Sequence, residues 1–330
     1  MAVFLLAASF AVILAGALFF TNAVEWAGHK LEIGEGATGS LLAAVGTAMP
    51  ETLIPIVAII GGAEGAEDVA IGAIIGAPFL LATIAMALVG TSALIFRGRR
   101  EQGTRLNADA ETLDRDLVFF GVFFAAGTAI GLGVPEGLQI PIAVGFVVAY
   151  GSYVRRTLRG GGAVQEVETI GSLYLDRTPG NDPAGQTIVL QFVIGLGAIV
   201  GGAHLFVEEL ISVAEDIGVE PLVLSLILAP LATELPEKAN SFFWVREGKD
   251  SLALGNITGA MVFQSTIPIA FGLALTDWDL DRFAIVSACL GLAGGALAYW
   301  ALRLRGRFER LPIALWSALF AAFIVYVAVA

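Results

Sequence analysis

Two short runs of oxygen-bearing side chains interrupt otherwise apolar stretches of this sequence. Gly46-Thr47-Ala48-Met49-Pro50-Glu51 and, far downstream, Ala232-Thr233-Glu234-Leu235-Pro236-Glu237 share one order: Thr, two residues, Pro, Glu. Thr47 matches Thr233, Pro50 matches Pro236, and Glu51 matches Glu237. Thr and Glu four residues apart lie on one face of a helix, one turn from each other. The proline between them lacks a backbone donor and clashes with the carbonyl four residues earlier. It therefore loosens the carbonyl of Gly46 in the first run and of Ala232 in the second. A hydroxyl, a carboxylate and freed carbonyls are hard oxygen ligands, the kind that Ca²⁺ and Na⁺ take. A proline kink with a glutamate satisfied by neighbouring helices would account for one such run. Two copies at matching places favour a cation site.

The elements that must position these residues are membrane helices. The chain has 330 residues, 57% of them hydrophobic and 15% charged, with a mean hydropathy of +0.83. A soluble domain carries about 25% charged residues. Apolar runs of about 20 residues, long enough to cross a bilayer, recur along the whole chain. An ionised group at the centre of such a helix costs roughly 2.5–3.5 kcal/mol on insertion scales, and usually marks an ion or substrate path. The single cysteine, Cys289, excludes an intrachain disulfide. His29 and His204 match no metal-binding spacing. No Lys or Arg precedes the first apolar run, so a cleaved signal peptide is not expected.

The spans are expected at about 2–22, 37–61, 68–96, 117–133, 138–153, 186–210, 219–245, 252–276, 283–304 and 311–330. This predicts an all-α integral membrane protein of ten transmembrane helices. They divide into a first five-helix repeat (1–154), a linker (155–185) and a second five-helix repeat (186–330). Gly160–Gly162 and Pro179-Gly180 mark the linker. The Thr-x-x-Pro-Glu run falls in the second span of each half. An odd number of spans per half forces the halves into opposite orientations, the pattern of inverted-repeat transporters. A second pair agrees: Gly72-Ala73-Ile74-Ile75-Gly76-Ala77 parallels Gly255-Asn256-Ile257-Thr258-Gly259-Ala260.

Charge sets the orientation. Of the 18 Lys and Arg, 16 fall in loops after the odd-numbered spans; Arg282 lies on the other side and Lys238 within a span. The positive-inside rule then makes the linker cytoplasmic and places both termini outside the cytoplasm of a cell-membrane, multi-pass protein. The opposite rim is acidic, with Glu64, Glu67, Asp68, Asp277, Asp279 and Asp281 among its residues. It either raises local cation concentration or is simply a solvated surface. Arg97-Gly98-Arg99-Arg100 sets topology, and no nucleic-acid partner is expected.

With these residues in view, the two motifs resemble the α-repeats of the Ca²⁺/cation antiporter superfamily, which includes the sodium/calcium exchangers. The resemblance is strong over about 37–90 and 219–275 and rests on topology elsewhere. The family's Gly-Thr-Ser-Leu-Pro-Glu signature is similar to residues 46–51 and 231–237. Its Gly-Asn-x-x-Gly-Ser-Asn signature is similar to 72–78 and 255–261. The resemblance implies ten helices, inverted halves, alternating access, and countertransport of Ca²⁺ against Na⁺ or H⁺. It implies Glu51 and Glu237 as the central carboxylate ligands of the cation, with Thr47 and Thr233 beside them.

The departures from that pattern matter for the ion. The serine after the motif threonine is Ala48 in one half and Glu234 in the other; the serine of the second signature is Ala77 and Ala260. The family's further Asn or Asp ligand falls at Leu81 and Gln264. Fewer oxygens predict fewer cation sites, with Glu234 and Gln264 as additional candidate ligands. Glu234 and Lys238 stand four residues apart, glutamate first, the favourable order for a helical ion pair. Glu51, Glu234, Glu237 and Lys238 then leave a formal charge of −2, suited to one divalent cation or to two monovalent cations or protons. Lys238 snorkelling to the inner face is the other reading.

The chain is therefore read as a secondary active cation antiporter, not an enzyme, exchanging Ca²⁺ or another cation for Na⁺. Proton-coupled exchange is the alternative. A channel using the same carboxylates as a selectivity ring is a further one, which the inverted repeat disfavours. No His-Glu-x-x-His zinc motif is present. No cofactor is expected beyond the transported cations (Ca²⁺, Na⁺ or H⁺). The expected partners are inorganic cations and the lipid bilayer; a monomer is compatible with the sequence.

Overall fold

The structure is a computed structural model that describes residues 1–30, 49–133, 135, 137–159, 171–176 and 182–330. Thr47, the first half of the second expected span and most of the linker lie outside those residues. So do the side chains of Leu235, Pro236 and Glu237, although their backbone is helical.

Among the described residues the fold is helical. The order is α1 (Ala2–Lys30), α2 (Met49–Gly61), α3 (Ala66–Leu80), a π-turn (Leu81–Ala85), α4 (Met86–Ile95), α5 (Ala110–Ile130), α6 (Gln139–Arg159) and α7 (Gly185–Ile217). It continues with α8 (Pro221–Arg246), α9 (Asp250–Gln264), α10 (Ile267–Leu275), α11 (Arg282–Ala298), a second π-turn (Tyr299–Leu304) and α12 (Arg310–Val329). Among the described residues, six helical stretches are long and apolar enough to cross a bilayer: Ala2–Lys30, Ala66–Ile95, Gly185–Ile217, Asp250–Leu275, Arg282–Leu304 and Arg310–Val329. The helices run past several of the expected boundaries. α6 continues to Arg159, with no Gly or Pro between Ser152 and Arg159 to end it, and α7 reaches Ile217 before Gly218 caps it in the left-handed conformation at φ 70°.

The two expected spans that carry the paired glycines are interrupted rather than straight, and the causes are local. In the 66–95 stretch, Pro78 withholds its backbone donor, and a π-turn follows at Leu81–Ala85. Thr83 Oγ1 donates to the Phe79 carbonyl at 2.6 Å. In the 250–275 stretch the helix breaks at Ser265 and Thr266, just before Pro268. Thr266 Oγ1 donates to the Val262 carbonyl at 2.8 Å. Counted from the paired glycines Gly72 and Gly255, these two threonines occupy the same position, and so do the carbonyls they engage.

Close helix contact is made by small residues, as expected where lipid tails are as apolar as the helices they surround. α1 lies along α7, where a Cβ at Gly16 would sit 2.9 Å from the Gly195 carbonyl oxygen. α3 lies along α8, where a Cβ at Gly72 would sit 2.5 Å from the Leu222 carbonyl oxygen, and one at Gly76 would strike Leu226. Ser225 Oγ donates to the Val69 carbonyl across this contact at 2.6 Å. The main apolar core joins both halves through Phe79, Phe120, Phe124, Met261, Trp316 and Phe323. Trp316 is buried but satisfied, its indole donating to the Gly294 carbonyl at 3.1 Å.

Candidate functional site

The first run's glutamate and the second run's threonine share one cavity. Glu51 and Ile54 from α2, Ala73 and Ala77 from α3, and Ala229, Pro230 and Thr233 from α8 line a cavity of about 10 Å³. That is room for a single small occupant, since a water needs about 10–15 Å³ measured in this way. Glu51 and Thr233 are both 7% exposed. Thr233 Oγ1 donates to the Ala229 carbonyl one turn back at 3.1 Å. Its hydroxyl proton is thereby spent on the backbone, which leaves the oxygen lone pairs for another partner. The close α3–α8 contact puts Ala73 and Ala77 opposite Thr233. No oxygen ligand comes from these two side chains.

The remaining described candidates form a second cluster. Glu234, Lys238 and Gln264 are 1%, 1% and 2% exposed. Lys238 Nζ lies 3.4 Å from Glu234 Oε2, and Gln264 Nε2 donates to Glu234 Oε1 at 2.8 Å. Gln264 is the last residue of α9, immediately before the break at Ser265, so the interruption delivers its amide to α8. With a side chain this deeply buried, Lys238 does not snorkel. Thr47 lies outside the described residues, and Glu237 is placed only by its backbone on α8.

Two other buried ionic networks were not anticipated. Asp116, 2% exposed, accepts from Tyr153 Oη at 2.7 Å and from Thr258 Oγ1 at 2.8 Å, and pairs with Arg115 at 3.0 Å. Thr258 belongs to the second glycine signature, so this carboxylate anchors α9 to α5 and α6. In the sequence Asp116 reads as the end of a charged loop; its position at the edge of the apolar run from Leu117 was the available signal. Arg100 and Asp250 form a bidentate pair at 2.8 and 2.7 Å, with both side chains fully buried. Arg100 also donates to the carbonyls of Val245 and Gly103, and the Asn107 amide donates to Asp250 at 2.9 Å. Nothing in the spacing of Arg100 and Asp250 along the chain announces this pair.

Several known membrane proteins are similar to this chain. CaxA of Alkalimonas amylolytica, a candidate antiporter, is 29% identical over 154 residues, 46% of this chain; the match spans about half of that relative, 48% of its length. The solved structure of the H⁺/Ca²⁺ exchanger CAX superposes with a TM-score of 0.73 at 22% identity, covering 98% of this chain and 81% of that one. The sodium-calcium exchanger NCX_Mj, soaked with Na⁺ and Sr²⁺, superposes with a TM-score of 0.59 at 20% identity, covering 98% of both chains. At these identities the superpositions establish the fold. The family pattern described as "Sodium/calcium exchanger protein" matches residues 1–158 and 187–329, and this multi-pass membrane protein belongs to that family.

Proposed function

We propose that this protein is a secondary active cation antiporter, exchanging Ca²⁺ or a similar cation for Na⁺ by alternating access. The observation that carries the reading is the cavity in which Glu51 of the first half meets Thr233 of the second. A buried carboxylate and a backbone-oriented hydroxyl beside Pro-loosened helices suit a hard cation. The proposed ligands are Glu51, Glu237, Thr47 and Thr233, with Glu234 and Gln264 supplying charge and support beside them. Ten helices in two inverted five-helix repeats are the architecture we assign. The matched helix interruptions at Thr83 and Thr266 support it. Such repeats place the site near the bilayer midplane and let one half rock against the other.

A second reading, proton coupling in place of sodium coupling, is favoured by one observation. Ala73 and Ala77 in the cavity wall and buried Leu81 at the π-turn carry no side-chain oxygen. A proton needs only a carboxylate, whereas each added Na⁺ needs several oxygens.

The test is uptake into vesicles of purified protein with Ca²⁺, Na⁺ and pH gradients imposed in turn. Obligatory exchange is expected, driven by one of the two monovalent gradients. Glu51→Gln keeps the shape and removes the charge, so it should abolish exchange while the protein still inserts and folds. Full exchange by Glu51→Gln, or uptake with no counter-ion, would sink the reading.

A further inference from the structure

Glu234 is saturated from within the chain. One oxygen takes the Gln264 amide at 2.8 Å and the other faces the Lys238 ammonium at 3.4 Å. All three side chains are almost fully buried, and none of them lines the cavity that holds Glu51 and Thr233. An ammonium is a compact, strongly hydrated point charge, the same in sign and size of charge as an alkali cation. Burying it is costly unless an anion and further hydrogen bonds receive it. Glu234 supplies the anion, one helical turn away. Gln264 orients that anion from a second helix, across the break that ends α9.

We propose that Lys238 is a built-in cation: through Glu234 it fills the place that one transported monovalent cation would otherwise occupy. The inference rests on the antiport reading and adds a specificity element to it. Glu234 and Gln264 are then holders of the fixed charge, and Glu51 with Thr233 borders the place of the mobile one. With Glu237 counted as a proposed ligand, three carboxylates (Glu51, Glu234, Glu237) and one ammonium carry a formal charge of −2. One divalent cation neutralises it with no companion. Without the ammonium the charge becomes −3, and a divalent cation would need one monovalent partner.

The test is equilibrium binding of radioactive Na⁺ to the purified full-length protein at pH 8. Lys238→Met should bind one more Na⁺ per chain than the wild type. The double variant Glu234→Gln/Lys238→Met should return to the wild-type number. An unchanged count in Lys238→Met, or an extra Na⁺ that persists in the double variant, overturns the proposal. If Lys238→Met is too unstable to purify, its melting temperature is measured in native membranes. It should rise with NaCl and not with choline chloride, by more than the wild type does; equal responses to the two salts overturn the proposal. If wild-type vesicles show no exchange and the count still rises by one, the antiport reading falls and the Lys238 assignment stands.

Discussion

Thr233 contributes an oxygen but no charge to the cavity it shares with Glu51. Thr233→Ala should therefore weaken exchange without ending it. Loss of one neutral ligand is expected to raise the half-saturating cation concentration about tenfold, roughly 1.4 kcal/mol. Glu51 has no such reserve. Its neighbours Ile54, Ala73 and Ala77 offer no oxygen side chain to reach a displaced ion. Shortening it in Glu51→Asp should be nearly as damaging as removing its charge. Initial exchange rates in vesicles check both, and a Glu51→Asp variant with near wild-type rates would show that the ion does not depend on this carboxylate's reach. Glu51 and Thr233 were legible as candidates because a Thr and a Glu flanking Pro in an apolar run have few structural reasons to occur twice. The Glu234–Lys238 pair was legible from its spacing. The hold of Gln264 on Glu234 was not, because it depends on where α9 stops.

That stopping point is a property of elements. The apolar runs of the sequence give simple spans at about 68–96 and 252–276, yet each is interrupted, by a π-turn in one and by a break in the other. The prolines Pro78 and Pro268 were visible in the sequence. The kind of interruption was not, because it depends on hydroxyls that bond back to a carbonyl one turn earlier, as Thr83 does to Phe79 and Thr266 to Val262. Helix contact makes a second prediction. Gly76→Ala puts a Cβ into the backbone of α8 at Leu226, whereas a Cβ at Gly197 on α7 meets nothing within 4 Å. Overpacking of this kind typically costs about 1–3 kcal/mol, so Gly76→Ala should lower thermal stability and Gly197→Ala should not. At the start of α5, Asp109 accepts from the Thr112 hydroxyl at 2.6 Å and the Thr112 amide at 2.9 Å. These bonds, the hydroxyl's first, hold its carboxyl below the usual Asp range. The cap's stabilisation is thus present above the ordinary Asp pKa and fades as pH falls through the lowered one. Asp109→Ala should cost about 1 kcal/mol at neutral pH. Its melting temperature should converge on that of the wild type in acid.

At the scale of the whole molecule, charge separates by end. The basic loops gather at one end. The backbones of Arg105 and Arg307 form an isolated antiparallel β-bridge, Arg100 pairs with Asp250, and Arg303 lies 3.4 Å from Asp114. At the other end Glu67 accepts from the Asp277 amide at 2.8 Å, and Gln139 donates to the Asp277 carbonyl at 3.0 Å. Counted from Gly72 and Gly255, Glu67 and Asp250 stand at the same position. Each carboxylate begins a helix of one half and receives a backbone amide from a loop of the other. The clustering of Arg into alternate loops was readable in the sequence. The ties between halves were not, because their partners lie far apart in the chain, 150 residues for Arg100 and Asp250 and 210 for Glu67 and Asp277. The Arg100–Asp250 tie is the buried one, and removing a single partner from such a pair costs about 3–5 kcal/mol. Arg100→Met should therefore destabilise the fold far more than Glu67→Gln at the exposed end, as thermal unfolding in detergent would read. The same separation predicts which end faces the cytoplasm. Alternate loops rich in Arg stay on the cytoplasmic side during insertion, so the Arg97–Arg105 end should face inward and the Glu64–Asp68 end outward. With the exposed native Cys289 replaced by Ala, a cysteine at Gly98 should resist an impermeant maleimide applied to intact cells, and one at Glu64 should react. Both positions are exposed in the fold, so burial does not decide the outcome. The reverse labelling pattern would invert the orientation while leaving the helix packing as it stands.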